Sequence, residues 1–339
     1  MKVLSVILLL FIGVHSIPVN TEPFESHEWA IVPDGDGSFH LEDLKEAQLS
    51  TDYKDFQASR DVVFRLYTYS TLNQIVRLGD ASSLAASNFN PNHPTRFIVH
   101  GWISDSDSEV NKLIQSAYHT RGDFNVFIVD WSSGAMGEYT HCAYRVEDVG
   151  KTVADFIIFV YRETGIELLD VTVIGHSLGA HIAGIAGRNA GKVGKIGAVV
   201  GLDAAHPLFE LVLADIRIDS RDAYYVETIH TSTLLLGFGP PLGVASFYPN
   251  YGQIQPGCSA DITGSCSHSR AYKYFAESIT SDKGFWARRC QNYDDILYKS
   301  CISTGEDVLM GGEPSNVNAS GVYWLPTNTN SPYATGKIS

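Results

Sequence analysis

The residues best suited to chemistry lie in Val171-Thr-Val-Ile-Gly-His-Ser-Leu-Gly-Ala-His181. A β-branched apolar run meets Gly175-His-Ser-Leu-Gly179, and the small residues Ala180, Ala183, Gly184 and Gly187 follow at helical spacing. This is a G-x-S-x-G turn between a strand and a helix, which holds a serine hydroxyl strained and exposed at a sheet edge. Gly175 and Gly179 carry no Cβ, so the turn stays tight and the helix can approach the strand closely. The N–H groups at the start of that helix, with its dipole, suit the anion that forms during acyl transfer. The pentapeptide alone is common; the strand before it and the small-residue helix after it give it weight.

A serine nucleophile needs a base, and the base needs an orienting carboxylate. For a nucleophile on such a turn the expected chain order is Ser, acid, His, with acid and base on loops after later strands. Asp203 follows the apolar run Ile196-Gly-Ala-Val-Val200, inside Gly201-Leu-Asp-Ala-Ala-His-Pro207, where the acid should stand. Asp130 also ends an apolar run but precedes the serine, which demotes it. Among later histidines, His181 lies one helical turn from Ser177 and reads as packing, His206 is too near Asp203, and His230 reads as a core residue. His268, in Cys266-Ser-His-Ser-Arg270, stands just before a helical stretch and beside a cysteine, and is the best base.

Positioning these groups calls for strands that alternate with helices. Asp61–Tyr69, Arg96–Val99, Asn125–Val129, Ile196–Val200 and Tyr224–Ile229 read as strands beside that of Val171. Val146, Val149, Val153, Phe156 and Val160 recur three or four apart, which predicts an amphipathic helix over Arg145–Glu163; a second is predicted over Ser269–Ile279. The pattern implies an α/β fold with a mostly parallel central sheet and helices on both faces. Trp29–Val32 and Ser38–Leu41, separated by Pro33-Asp-Gly-Asp-Gly37, suit a hairpin. A helical or loop segment is expected up to Asn92, and the stretch after Ser303 reads as loosely determined, with an exposed glycosylation sequon at Asn318-Ala-Ser320.

The chain has 339 residues, enough for one large α/β domain over 59–339. Residues 1–16 read as a secretory signal: one basic residue, an apolar core, then Val14 and Ser16 before the cut. Residues 17–58 form an N-terminal extension, either a propeptide or a cover for the sheet. No later stretch is long and apolar enough to span a bilayer, so a secreted, soluble product without a transmembrane anchor is expected. The net charge of −14 argues against nucleic acid and against capture by anionic membranes, and leaves neutral or zwitterionic lipid surfaces open. No obligate protein partner is evident. Five cysteines suit two short-loop bridges, 258–266 and 290–301, with Cys142 left as a small buried residue.

Taken together, the motifs resemble the animal pancreatic-lipase family, with its insect members and related phospholipases A1. The resemblance spans roughly Val62 to Ile302 and rests on His100-Gly-Trp102, Gly175-His-Ser-Leu-Gly179 with Ala180-His181, Gly201-Leu-Asp203, Phe247-Tyr-Pro-Asn250, Gln255-Pro-Gly-Cys258 and Cys266-Ser-His268 with Arg270-Ala-Tyr272. It implies an α/β-hydrolase fold, secretion, lipid-ester hydrolysis through Ser177, Asp203 and His268, and an oxyanion hole built from the backbone N–H groups of Trp102 and Leu178. Ala204 stands where the family usually has proline, which would loosen the acid without removing it. The family's C-terminal β-sandwich has no counterpart after Ile302. Its calcium loop is only partly kept: Arg217, Asp219 and Asp222 match, while Ala214 replaces an acidic residue, which leaves open a calcium site or a solvated polar loop; no metal and no cofactor is assigned.

In that family the loop between the two cysteines before the histidine covers the active site. Here it is Ser259-Ala-Asp-Ile-Thr-Gly-Ser265, too short for a two-helix flap because a single helical turn takes 3.6 residues. Short loops of this kind look like those of phospholipases A1. Thr233–Leu242, apolar and punctuated by Gly and Pro, is read either as acyl-contacting surface or as ordinary core packing. The expected function is therefore a secreted serine esterase acting on lipids, a phospholipase A1 or a broad lipase. The rival class is a catalytically silent lipid-binding or storage member, disfavoured because all three triad positions are filled.

Overall fold

The computed structural model describes residues 29–34, 38–49, 55–210 and 214–338. Its centre is a sheet of eleven strands. In chain order they are β3 (Val63–Thr68), β4 (Thr71–Val76), β5 (Thr95–Val99), β6 (Asn125–Asp130), β7 (Val171–His176), β8 (Ala198–Leu202), β9 (Tyr225–Ile229), β10 (Ala245–Pro249), β11 (Phe285–Arg289), β12 (Val308–Met310) and β13 (Gly321–Leu325). The spatial order is β12-β11-β13-β10-β9-β8-β7-β5-β6-β3-β4. Strands β6 through β13 in that order run parallel. Antiparallel neighbours close both edges, β3 and β4 at one and β11 and β12 at the other. This is the mostly parallel sheet that the strand and helix alternation predicted, in the α/β-hydrolase architecture that the resemblance implied.

Helices cover both faces, which is why the inner strands are apolar without a break. α1 (Glu109–Arg121) and α4 (Ser265–Thr280) pack together on one face, α2 (Tyr139–Thr164) and α3 (Leu178–Ala190) on the other. Side chains alternate accordingly: Phe97 and Val99 join the α2/α3 core, and Ile98 between them joins the α1/α4 core. α2 begins six residues before the predicted Arg145, because Tyr139, Cys142 and Ala143 extend its buried face through a run that looks polar in sequence. It ends at Gly165, whose φ of 70° and N–H bond to the Tyr161 carbonyl form a left-handed cap.

The other departures lie toward the two ends of the sheet. β4 occupies part of the segment read as helix or loop, and the stretch after Ser303 supplies β12 and β13 rather than a loose tail. β13 is an inner strand, with Val322, Tyr323 and Leu325 buried; the surrounding Gly, Ser and Asn residues are its turns. Asn318 is exposed, as the sequon reading required. The hairpin forms as expected, β1 (Trp29–Pro33) pairing antiparallel with β2 (Phe39–Asp43). Both bridges, Cys258–Cys266 and Cys290–Cys301, are present. Cys142 is buried within α2, and burial raises its thiol to about 12, so it is inert. The leader, residues 1–16, lies outside the described residues. Among the described residues no helix is long and apolar enough to cross a membrane.

One buried carboxylate ties the C-terminal strands to the sheet. Glu227 on β9 has no exposed surface and accepts hydrogen bonds from Gly311 N (2.7 Å) and Tyr225 Oη (3.2 Å). Burial raises its pKa from 4.5 to about 7, against those two bonds. The folded chain therefore holds a proton there that the unfolded chain has lost, so stability falls as pH rises from about 4.5 through about 7. A shift of this size corresponds to roughly 3 kcal/mol. Glu227→Gln should remove this part of the slope. Melting temperatures of the two proteins across that range check it, and parallel curves would contradict the assignment.

Candidate active site

Ser177 sits between β7 and α3 with φ 59° and ψ −124°, a conformation that L-residues rarely adopt. Its surroundings leave no alternative. A Cβ on Gly175 would lie 1.9 Å from the Gly179 carbonyl oxygen, and one on Gly179 would lie 2.2 Å from that of Val99. The turn is fastened by Ser177 N donating to Leu202 O at 3.1 Å and Ala205 N donating to Ser177 O at 3.2 Å. The loop that carries the acid thus grips the backbone of the serine.

Asp203 has no exposed surface and a φ of 43°. Its Oδ1 accepts from the backbone N–H groups of Thr231 (2.6 Å) and Ser232 (3.1 Å), and its Oδ2 accepts from His268 Nδ1 at 2.6 Å. With a backbone N–H bond to Ile229 O (2.7 Å) and the Phe238 N–H on Ala204 O (2.7 Å), the acid is held rigidly. Alanine in place of proline at 204 therefore does not loosen it. Gln255, buried, buckles the supporting loop by donating to Thr231 O (3.1 Å) and Pro249 O (2.9 Å), while Ser267 Oγ accepts from its backbone N–H.

His268 stands inside the first turn of α4, not before the helix as its sequence suggested. The helix starts early because Asp261 caps it: Oδ2 accepts from Cys266 N (2.5 Å), and the adjoining disulfide fixes the turn. Ser177 and His268 line one cavity of about 230 Å³. The ring of His176 lies 4.4 Å from that of His268, centroid to centroid, and burial together with His268 keeps His176 neutral.

The loop carrying Trp102 lies against Ser177, since a Cβ on Gly101 would come within 2.8 Å of Ser177 Cβ. It is braced by Trp131 Nε1 donating to His100 O at 2.9 Å and by His100 Nε2 accepting from Trp131 N at 3.3 Å. Leu178 opens α3 directly after the serine. The residues set aside stay apart: Asp130 is bound by Arg65 at 2.9 Å, His181 is buried against Phe209, His206 pairs with Glu210, and His230 donates into the core at Phe238 O.

The cation loop implied by the resemblance does not suit calcium. Its oxygens converge on a guanidinium: Arg188 Nε donates to Asp222 Oδ1 at 2.9 Å, and its other nitrogens donate to the carbonyls of Arg217 (2.7 Å) and Asp215. Asp219 Oδ1 is engaged by Arg221 Nε at 2.6 Å. Burial raises Asp222 to about 6, and Arg188 opposes that rise. Among the described residues no group of three or more His, Cys, Asp or Glu side chains is gathered to hold a metal.

Sequence reasoning passed over Gly237. A Cβ there would lie 2.4 Å from Asp203 Oδ1. Its only sequence signal is its place in the punctuated loop after His230.

The family model described as Lipase matches residues 36–333. Over 266 residues the chain is 36% identical to pancreatic lipase-related protein 2 of Bos taurus, covering 71% of this chain and 56% of that protein. It is 35% identical over 262 residues to pancreatic triacylglycerol lipase of Homo sapiens, covering 70% and 56%. Inactive pancreatic lipase-related protein 1 of Homo sapiens is 36% identical over 264 residues, with coverage of 70% and 56%. The chain spans little more than half the length of these curated relatives.

Two predictions follow from the geometry. Gly237→Ala should lower kcat on a soluble ester at least about tenfold, because sub-ångström displacement of a positioning group is costly. A melting temperature within a few degrees of the parent would accompany it, and an unchanged kcat would show that Asp203 tolerates the added methyl. In the cation loop, a calcium chelator should leave the melting temperature unmoved. Arg188→Ala should lower it by several degrees. Breaking a fully buried pair costs about 3–5 kcal/mol, and less here because Arg188 is 24% exposed. Chelator-induced melting restored by calcium would reverse the assignment.

Proposed function

The chain belongs to the lipase family, and from that premise we propose that it is a secreted serine hydrolase that cleaves carboxylic esters of lipids, a phospholipase A1 or a broad lipase. The observation that carries the reading is the 2.6 Å contact between His268 Nδ1 and buried Asp203, with His268 and the strained Ser177 facing one cavity. Secretion is supported by the apolar leader and by two disulfides, which persist in oxidising compartments. Neutral or zwitterionic lipid surfaces suit the net charge of −14.

The chemistry runs through an acyl-enzyme. Ser177 Oγ attacks the ester carbonyl while His268 Nε2 takes its proton. Asp203 holds the Nδ1–H tautomer and stabilises the imidazolium. The carbonyl oxygen becomes an anion that faces the N–H groups of Trp102 and Leu178, at the positive end of α3. His268 then protonates the departing alcohol. Water, activated by the same imidazole, releases the fatty acid and restores the serine.

The rival reading, a silent lipid-binding member, draws on the relative whose name begins "Inactive". Complete triad positions with a buried, fully bonded acid speak against it. Labelling of Ser177 by an organophosphate decides between the two.

Substrate preference rests on the loop Ser259–Ser265. It forms turns rather than a flap, is tied by Cys258–Cys266 and by Asp261, and places Thr263 and Ser265 on the catalytic cavity. Such a loop has little apolar area to close over Ser177. The expected result is turnover of dispersed short-chain esters, abolished by Ser177→Ala, with little jump as substrate passes its aggregation limit. Polar-headed lipid should be cleaved at least as well as long-chain triglyceride. Rates measured across that limit provide the test; a steep jump with strict triglyceride preference would falsify the short-loop reading while leaving the triad intact.

A further inference from the structure

We propose that the hairpin of β1 and β2 is the fixed wall of the acyl-chain groove and sets which chain lengths the protein accepts. The proposal rests on the reading of Ser177 as an ester-cleaving nucleophile. The catalytic cavity is lined not only by Ser177 and His268 but also by Pro33, Asp34 and Phe39 of the hairpin. At about 230 Å³ it is smaller than ligand-sized sites, which run from about 300 to 1,000 Å³, so a long substrate must extend beyond it. A second cavity of about 450 Å³ shares Phe39 and Pro207 with the first. It lies between Trp29 and Ile31 on the hairpin and Leu234 and Leu235 on the loop after β9. Its ionisable lining groups, His206 and Glu210, bond to each other at 2.9 Å, and the rest of its lining is apolar.

The pattern of the hairpin agrees with this use. Residues directly opposite in an antiparallel pair share a face. Pairing of Ile31 with Leu41 and Pro33 with Phe39 therefore puts Trp29, Ile31, Pro33, Phe39 and Leu41 on one face, apolar except for Asp43 opposite Trp29 at its end. The opposite face is the one that anchors: Val32 is buried in the α2/α3 core, and Glu42 accepts a hydrogen bond from Thr140 Oγ1 on α2. Trp29, Ile31 and Leu234 are 55%, 51% and 56% exposed, which is apolar surface left for a partner. Continuity with the catalytic cavity identifies that partner as the acyl chain of an ester whose carbonyl sits at Ser177.

Two measurements on the full chain test this. The first is kcat/KM for p-nitrophenyl esters from acetate to laurate, compared between the parent and Ile31→Asp and Leu235→Asp. Each charge should lower the laurate-to-acetate ratio at least about tenfold, since a carboxylate in an apolar groove is desolvated by the chain. A ratio within twofold of the parent overturns the proposal. The second is quenching of tryptophan fluorescence by a bromine-tipped dodecanoate, read in Ser177→Ala so that turnover plays no part. Quenching that disappears in Ser177→Ala/Trp29→Phe supports the groove; quenching that is absent, or that survives this change, overturns it. Failure of every ester to react would remove the proposed function, yet the fluorescence arm would still decide whether the groove holds a chain.

Discussion

A carboxylate with no exposed surface must be compensated where it lies, and Asp203 is compensated by three donors. Two backbone N–H groups from the turn after β9 and one imidazole N–H from α4 take its lone pairs. The donors come from two parts of the chain and the carboxylate from a third, so the turn after β9, the start of α4 and the loop after β8 have to converge. That convergence needs clearance as well as attraction, which is why Gly237 stands beside the carboxylate. Gln255 then locks the donor turn to the segment leading into α4.

The same demand for close approach governs the nucleophile. β7, α3 and the end of β5 meet so tightly that backbone atoms fill the space where side chains would begin at Gly175 and Gly179. Strain at Ser177 is sustained by this packing and by the two backbone bonds that tie it to Leu202 and Ala205. Acid and nucleophile are thus braced by each other's loops. A further internal substitution appears at the far end of α3, where the Arg188 guanidinium supplies the positive charge among the oxygens of Asp215, Arg217 and Asp222.

Most of the inner strands and the candidate site residues were legible because they follow from local pattern: continuous β-branched runs, a G-x-S-x-G turn, and the chain order of Ser177, Asp203 and His268. What escaped depends on distant partners. β13 reads as tail in sequence because its short apolar run sits among turn residues; only pairing with β10 and β11 makes it an inner strand. The start of α4 was misplaced because its cap is Asp261, inside a loop that looks unstructured, acting through its side chain on Cys266 N. The extra turns of α2 hide behind Thr140 and His141, which are buried against the N-terminal segment and bonded to it. Alanine after Asp203 seemed a weakness for the opposite reason, since the bonds that secure the acid come from residues far along the chain.

The position of the hairpin also changes what the short Ser259–Ser265 loop means. A long flap carries its apolar surface on a mobile element, so the surface is present only when the flap has moved. Here the apolar face is on a hairpin whose other side is anchored in the core by Val32 and followed by buried Leu44. A wall of that kind has no conformational transition to complete before a chain can lie along it. The ordering cost of the site is met during folding rather than during binding, which is the general advantage of preorganisation. In the proposed reading, the short Ser259–Ser265 loop and the rooted N-terminal wall are therefore two sides of one arrangement, with Phe39 and Pro207 lining both the cavity at Ser177 and the cavity beside the hairpin.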